Sequence, residues 1–119
     1  MALEAGMERD MEFVVEDRLI TDVGGTIGAS VLSTPGMIGM MEACCAGLSY
    51  ENLEEGSATV GFEVCIKHVA AAAEGSTCVV HARLNEIVDD RKLRFDVEVT
   101  EGERTLGLGT HERRLVEAP

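Results

Sequence analysis

The stretch "STPGMIGMMEACC", residues 33–45, reads as the opening of a buried helix. Thr34 carries the side chain of a helix N-cap. Pro35 suits the first helical position, because proline has no N–H to leave unsatisfied and its φ is already near the helical value. Proline also drives the residue before it into an extended conformation, which a cap requires. The helix is predicted to run to about Ser49. Gly36, Gly39 and Gly47 each cost it roughly 1 kcal/mol of propensity relative to alanine, so packing must hold it. A helix apolar on all sides is one enclosed by the rest of its fold. Glu42 stands in the middle with no basic residue within a turn. An ionised carboxylate left buried and unpaired is strongly destabilising. Three readings are open for it: an exposed stripe, an ion pair with a distant arginine, or a working acid or base tuned by a pocket.

Before this helix, "MEFVVEDRLI" (11–20) holds a short apolar run that reads as a strand, and residues 1–10 read as a frayed lead-in. "TDVGGTIGAS" (21–30) is a flexible glycine-rich loop. After the helix the pattern switches to period two. Val60, Phe62, Val64 and Ile66 fall on one strand face; Cys78, Val80, Ala82 and Leu84 on the next; Leu93, Phe95, Val97 and Val99 on a third. "RTLGLGTHERRLV" supplies a last strand. Turn signals stand at Glu74-Gly75, Asp89-Asp90 and Glu101-Gly102. Strand, helix and then four consecutive strands is an α+β layout, a five-stranded antiparallel sheet wrapped on one long apolar helix. That order and that helix composition describe the hotdog architecture. Residues 11–119 are expected to form a single domain.

Bulk properties narrow the function. The 119-residue chain suits one core, but only 3% is aromatic and there is no tryptophan. Such a thin core favours a second copy covering apolar surface. With 22 acidic residues against 10 basic, the net charge is −12, which argues against nucleic acid and against an anionic membrane. An anionic small molecule needs only a few local cations and stays possible. The N-terminus lacks the apolar run of a secretory signal, and no stretch approaches the ~20 apolar residues of a membrane span. Cys44, Cys45, Cys65 and Cys78 fit no zinc spacing. Cys65 and Cys78 read as ordinary buried thiols in strands, and the set points to a reducing, cytoplasmic setting. No phosphate loop, metal-ligand cluster or serine-hydrolase elbow is present, so no metal or cofactor is expected.

Polar residues on apolar faces carry what chemistry there is. Thr34 reads first as a cap, but a hydroxyl beside unpaired N–H groups at the positive end of a helix dipole can also help hold an oxyanion. His68 ends the apolar face of its strand, where a hydrogen-bonded core imidazole competes with a catalytic one. His81 shares a solvated face with Arg83 and Asn85, and His111 is ambiguous.

"VLSTPGMIGMMEACC", "GFEVCIKHVAA" and "GLGTHERRLV" resemble, in order and spacing, the hotdog thioesterases related to fluoroacetyl-CoA thioesterase, over roughly residues 11–117. The resemblance implies hydrolysis of an acyl-CoA to a carboxylic acid and free CoA. It implies a catalytic group of Thr34, Glu42 and His68, with Gly61 and Arg113 in the site. On that reading the thioester carbonyl points at the N–H groups of Gly36 and Met37, and Arg113 meets the substrate or pairs with Glu42. It further implies a homodimer joined edge to edge through the strand carrying His68. The segment before Thr34 is short, glycine-rich and without an aromatic residue, which points to an acyl group other than fluoroacetyl. A non-catalytic acyl-CoA-binding protein on the same fold is the alternative, and a hydratase a more distant one.

Overall fold

The computed structural model describes residues 3–118. Its strands are β1 (Glu8–Val14), β2 (Ile20–Thr21), β3 (Val31–Leu32), β4 (Ser57–His68), β5 (Thr77–Val88), β6 (Lys92–Glu101) and β7 (Arg104–Glu117), with one helix, α1 (Thr34–Tyr50). β1, β5, β6, β7 and β4 form a five-stranded sheet in that order, every pairing antiparallel. β2 and β3 make a separate two-stranded ribbon that leads into the helix. β1 opens at Glu8, inside the expected lead-in, and a short 3₁₀ turn (Asp17–Leu19) follows it where the sequence pattern suggested continuous strand.

Alternation places the core. Cys78, Val80, Ala82 and Leu84 of β5 and Leu93, Phe95, Val97 and Val99 of β6 are all buried. They meet Met37, Met41, Cys44, Cys45 and Leu48, which form one face of α1. Each Val, Leu, Phe or Met among them contributes roughly 1.5–3 kcal/mol when fully buried, and the alanine and cysteines less. The helix is not enclosed on all sides, however. Gly39 and Ala43 on its other face are exposed within the single chain, because a single sheet layer covers only one face. The expectation that Cys65 is buried also fails: it is exposed on β4, while Cys78 is buried.

β4 departs from simple alternation. Its register against β7 shifts between Gly61 and Glu63, so Phe62 is an extra residue in the ladder. The slip reverses the face presented on either side of it. Val60 and Phe62 therefore do not share the helix-facing side with Ile66; both are exposed, and the Arg114 guanidinium sits 3.6 Å from the Phe62 ring centre. Gly61 turns toward the helix instead, where a Cβ would come within 2.7 Å of Glu42 Oε2.

Candidate active site

The cap of α1 is Ser33, not Thr34. Its Oγ accepts a hydrogen bond from the Gly36 N–H at 2.9 Å, and Pro35 falls one position later than expected. Two adjacent hydroxyls gave the sequence two possible caps. The tertiary fold chooses, since the Ser33 N–H is tied to the Leu19 carbonyl at 2.8 Å. Gly36 makes this entry possible: a Cβ there would press to 3.0 Å on the Leu19 backbone.

Release from capping leaves Thr34 free for another partner. Its Oγ1 lies 2.8 Å from Nδ1 of His68, which ends β4. His68 Nε2 is buried with no hydrogen-bond partner among the described residues. A cleft of about 390 Å³ opens beside the pair, lined by Thr21, Val23, Val31, Val69 and the pair itself. The Gly36 and Met37 N–H groups do not face this cleft as free donors. Both are taken, by Ser33 Oγ at 2.9 Å and by the Ser33 carbonyl at 2.9 Å. The expectation that they receive a substrate carbonyl is corrected accordingly.

Glu42 lies elsewhere. Eight residues of helix separate it from Thr34, about 12 Å along the axis. Its side chain is 42% exposed, so the carboxylate is half-solvated rather than buried. It faces Gly61 at the bulge and Arg113 on β7, with Nη1 to Oε2 at 3.9 Å. Arg113 is 7% exposed. It is held by Nε donating to Thr59 Oγ1 at 2.9 Å and Nη2 donating to the Thr59 carbonyl at 3.0 Å. A cavity of about 180 Å³, lined by Glu42, Gly61, Phe62, Glu63, Val64 and His111, opens at this end.

One chain thus holds two separate side-chain groups. Thr34 and His68 meet; Glu42, Gly61 and Arg113 meet; Gly61 and His68 are seven residues of strand apart, roughly 23 Å. Thr59 and His111 complete the second group. No sequence signal marked Thr59, whereas His111 falls two residues before Arg113 and so on the same strand face.

Neighbouring thiols do not compete for the chemistry. Burial pushes Cys44 up to about 11, and pushes Cys45 higher still. Both stay protonated at neutral pH, where a thiol is a poor nucleophile. Among the described residues no group of three or more His, Cys, Asp or Glu is arranged to hold a metal ion, and no helix is long and apolar enough to cross a membrane.

A five-stranded antiparallel sheet laid along one helix, with polar residues at the helix start and midpoint, is the hotdog fold. The hot-dog-like protein of Thermanaerovibrio acidaminovorans shares it at a TM-score of 0.86 and 18% identity, over 95% of this chain and 83% of that one. Residues 14–119 match the family described as fluoroacetyl-CoA-specific thioesterase, and the chain belongs to that family. The fluoroacetyl-CoA thioesterase of Streptantibioticus cattleyicolor is 36% identical over 86 residues, which are 72% of this chain and 61% of that protein. The match therefore spans less than two thirds of that relative's length. A solved mutant of the fluoroacetyl-CoA-specific thioesterase, in complex with fluoroacetate and CoA, superposes at a TM-score of 0.86 with 28% identity, over 97% of this chain and 96% of that one.

Proposed function

We propose that the chain is an acyl-CoA thioesterase, releasing a carboxylic acid and free CoA, and that two copies build each site. The observation that carries this reading is the 2.8 Å bond between Thr34 and His68 at the edge of an open cleft, in a chain of this family. A hydroxyl hydrogen-bonded to an imidazole is the arrangement that activates an attacking oxygen. The attack comes from Thr34 or from a water hydrogen-bonded to it. In either case His68 Nδ1 takes the proton and later returns it to the departing thiolate, the general acid–base work that an imidazole at hydrogen-bond distance performs.

The separation of the two groups supports the dimer. β4 is an edge strand with Val60, Phe62 and Val64 exposed, a template for pairing with another chain. Two-fold antiparallel pairing centred on Cys65, with Phe62 left out of the ladder as the extra residue of the bulge, sets His68 of one protomer opposite the partner's Gly61, and so beside the partner's Glu42. The glycine leaves room for the acyl group, and the carboxylate orients the attacking oxygen or balances the imidazolium. The substrate class proposed is a small acyl-CoA, with an acyl group other than fluoroacetyl suggested by the glycine-rich segment without an aromatic residue that precedes Thr34.

Thiol release over short, branched, aromatic and fluorinated acyl-CoAs tests the activity. Thr34→Ala and His68→Ala should each lower the rate at least ~100-fold. Near-wild-type rates in both, or tight binding with no thiol released by the wild type, would end the reading; the second result would favour a binding protein. Mixing tests the dimer. Thr34→Ala and Glu42→Gln homodimers should both be inactive. Randomly exchanged subunits should recover about a quarter of wild-type activity, because each mixed dimer restores one of its two sites. No recovery on exchange would place the site within one chain.

A further inference from the structure

His111 has no part in the reaction just described, yet its surroundings are specific. It lies on β7, 2% exposed, with its ring stacked at 6.3 Å on Phe95 of β6. Nδ1 is 2.8 Å from the Glu63 carbonyl, which can only accept, so Nδ1 carries the proton. In a neutral imidazole Nε2 then holds a lone pair. That lone pair faces Nη1 of Arg113 at 3.3 Å, a group that can only donate. Thr59 fixes the other edges of the same guanidinium, and Nη1 is the nitrogen turned toward Glu42.

We propose that His111 is a positioning residue: as a neutral acceptor it holds the Arg113 guanidinium in the orientation that places the Glu42 carboxylate, and protonating it breaks that hold. The proposal rests on the reading of Glu42 as part of the site. An imidazolium would turn an N–H toward the Arg113 cation and leave Nη1 without its acceptor. The groups around the ring are Glu42 from α1, Arg113 on its own strand and Glu63 of β4. Across a second opening that the ring borders lie Glu86 of β5, Arg94 and Asp96 of β6, and Glu112. Burial holds the His111 pKa below the usual imidazole value; the Glu63 hydrogen bond works against that, Arg113 adds to it, and Glu42 opposes it. The neutral form therefore prevails at pH 7, and the hold is lost only as pH falls through that lowered value.

The test pairs two variants with a spectroscopic readout. A glutamine amide oxygen reaches the position of Nε2, whereas an asparagine amide reaches only that of Nδ1. His111→Gln should keep kcat within about threefold of wild type, and His111→Asn should lower kcat at least about tenfold with KM little changed, the scale of a misplaced catalytic group. The Gln variant should also lose the part of the acid limb of the pH–rate profile that His111 contributes. Imidazole ¹⁵N shifts of the wild type report the tautomer directly, whether or not either variant folds. A proton on Nε2 at pH 7, or equal kcat in the two variants, would overturn the proposal. Because the NMR reading does not depend on hydrolysis, it still reports His111 if Thr34→Ala shows that the chain is no thioesterase.

Discussion

Gly61→Ala isolates the placement of Glu42 from the stability of the fold. The added Cβ would lie 2.7 Å from Glu42 Oε2, and 3.6 Å from both Arg113 Nη1 and His111 Cε1. Ordinary contact begins near 3.4 Å, so the carboxylate must retreat by about 0.7 Å (3.4 − 2.7) while its two neighbours stay within normal contact. Glu42 is half-exposed and its end is free to swing, so the retreat costs little packing. Alanine also restricts the unfolded chain more than glycine, a gain of roughly 0.5–1 kcal/mol. Stability should thus stay within about 1 kcal/mol of wild type, while kcat/KM falls by about 10–100-fold, as expected for a catalytic group displaced by a large part of an ångström. Chemical denaturation and a thiol-release assay measure the two quantities. Unchanged kcat/KM in a variant whose structure shows Glu42 displaced would refute a catalytic carboxylate. A loss of stability large enough to account for the lost activity would refute the separation argued here.

Three further outcomes follow from the geometry. Ser33→Ala should lower unfolding free energy by about 1 kcal/mol, the usual value of an N-cap, whereas Thr34→Ala should leave the melt near wild type, which a thermal scan of both distinguishes. Gly109→Ala should destabilise by about 1–3 kcal/mol, since its Cβ would collide with the Cys65 backbone carbonyl and the flanking Ile66 rather than with a movable side-chain end. His81 gains hydrogen bonds to Asp10 and Glu8 across β1 and β5, and its pKa is raised, chiefly by Asp10 and opposed by partial burial. A raised folded pKa gives stability that is complete below the unfolded value near ~6.5 and fades as pH climbs through the folded one. The groups are largely exposed, so the effect is below about 1 kcal/mol. Denaturation midpoints on either side of neutrality should converge in His81→Gln.

Much of the fold was legible because its signals are local. Alternation along β5 and β6 marked the buried face residue by residue, and Pro35 fixed the start of α1 to within one position. The same locality explains the errors. Strict alternation puts Val60 and Phe62 on one face with Val64 and Ile66, but an extra residue at Gly61–Glu63 resets the parity. Ser33 and Thr34 are chemically equivalent caps until the Leu19 carbonyl holds the Ser33 backbone. Glu42 looked buried because every neighbour in sequence is apolar or small, but exposure depends on which helix face the single sheet covers.

The sequence alone established which residues are polar where the pattern calls for apolar ones: Thr34, Glu42, His68 and Arg113 stand out from their surroundings without any coordinates. Family resemblance could group them, because it reports shared chemistry and not distance. Only the folded chain separated Glu42 from Thr34 and His68, and chose Arg113 as the neighbour of Glu42 among the readings open to it. Those pairings join segments far apart in sequence, and their geometry depends on a cap worth about 1 kcal/mol and on a bulge whose position the tertiary pairing sets.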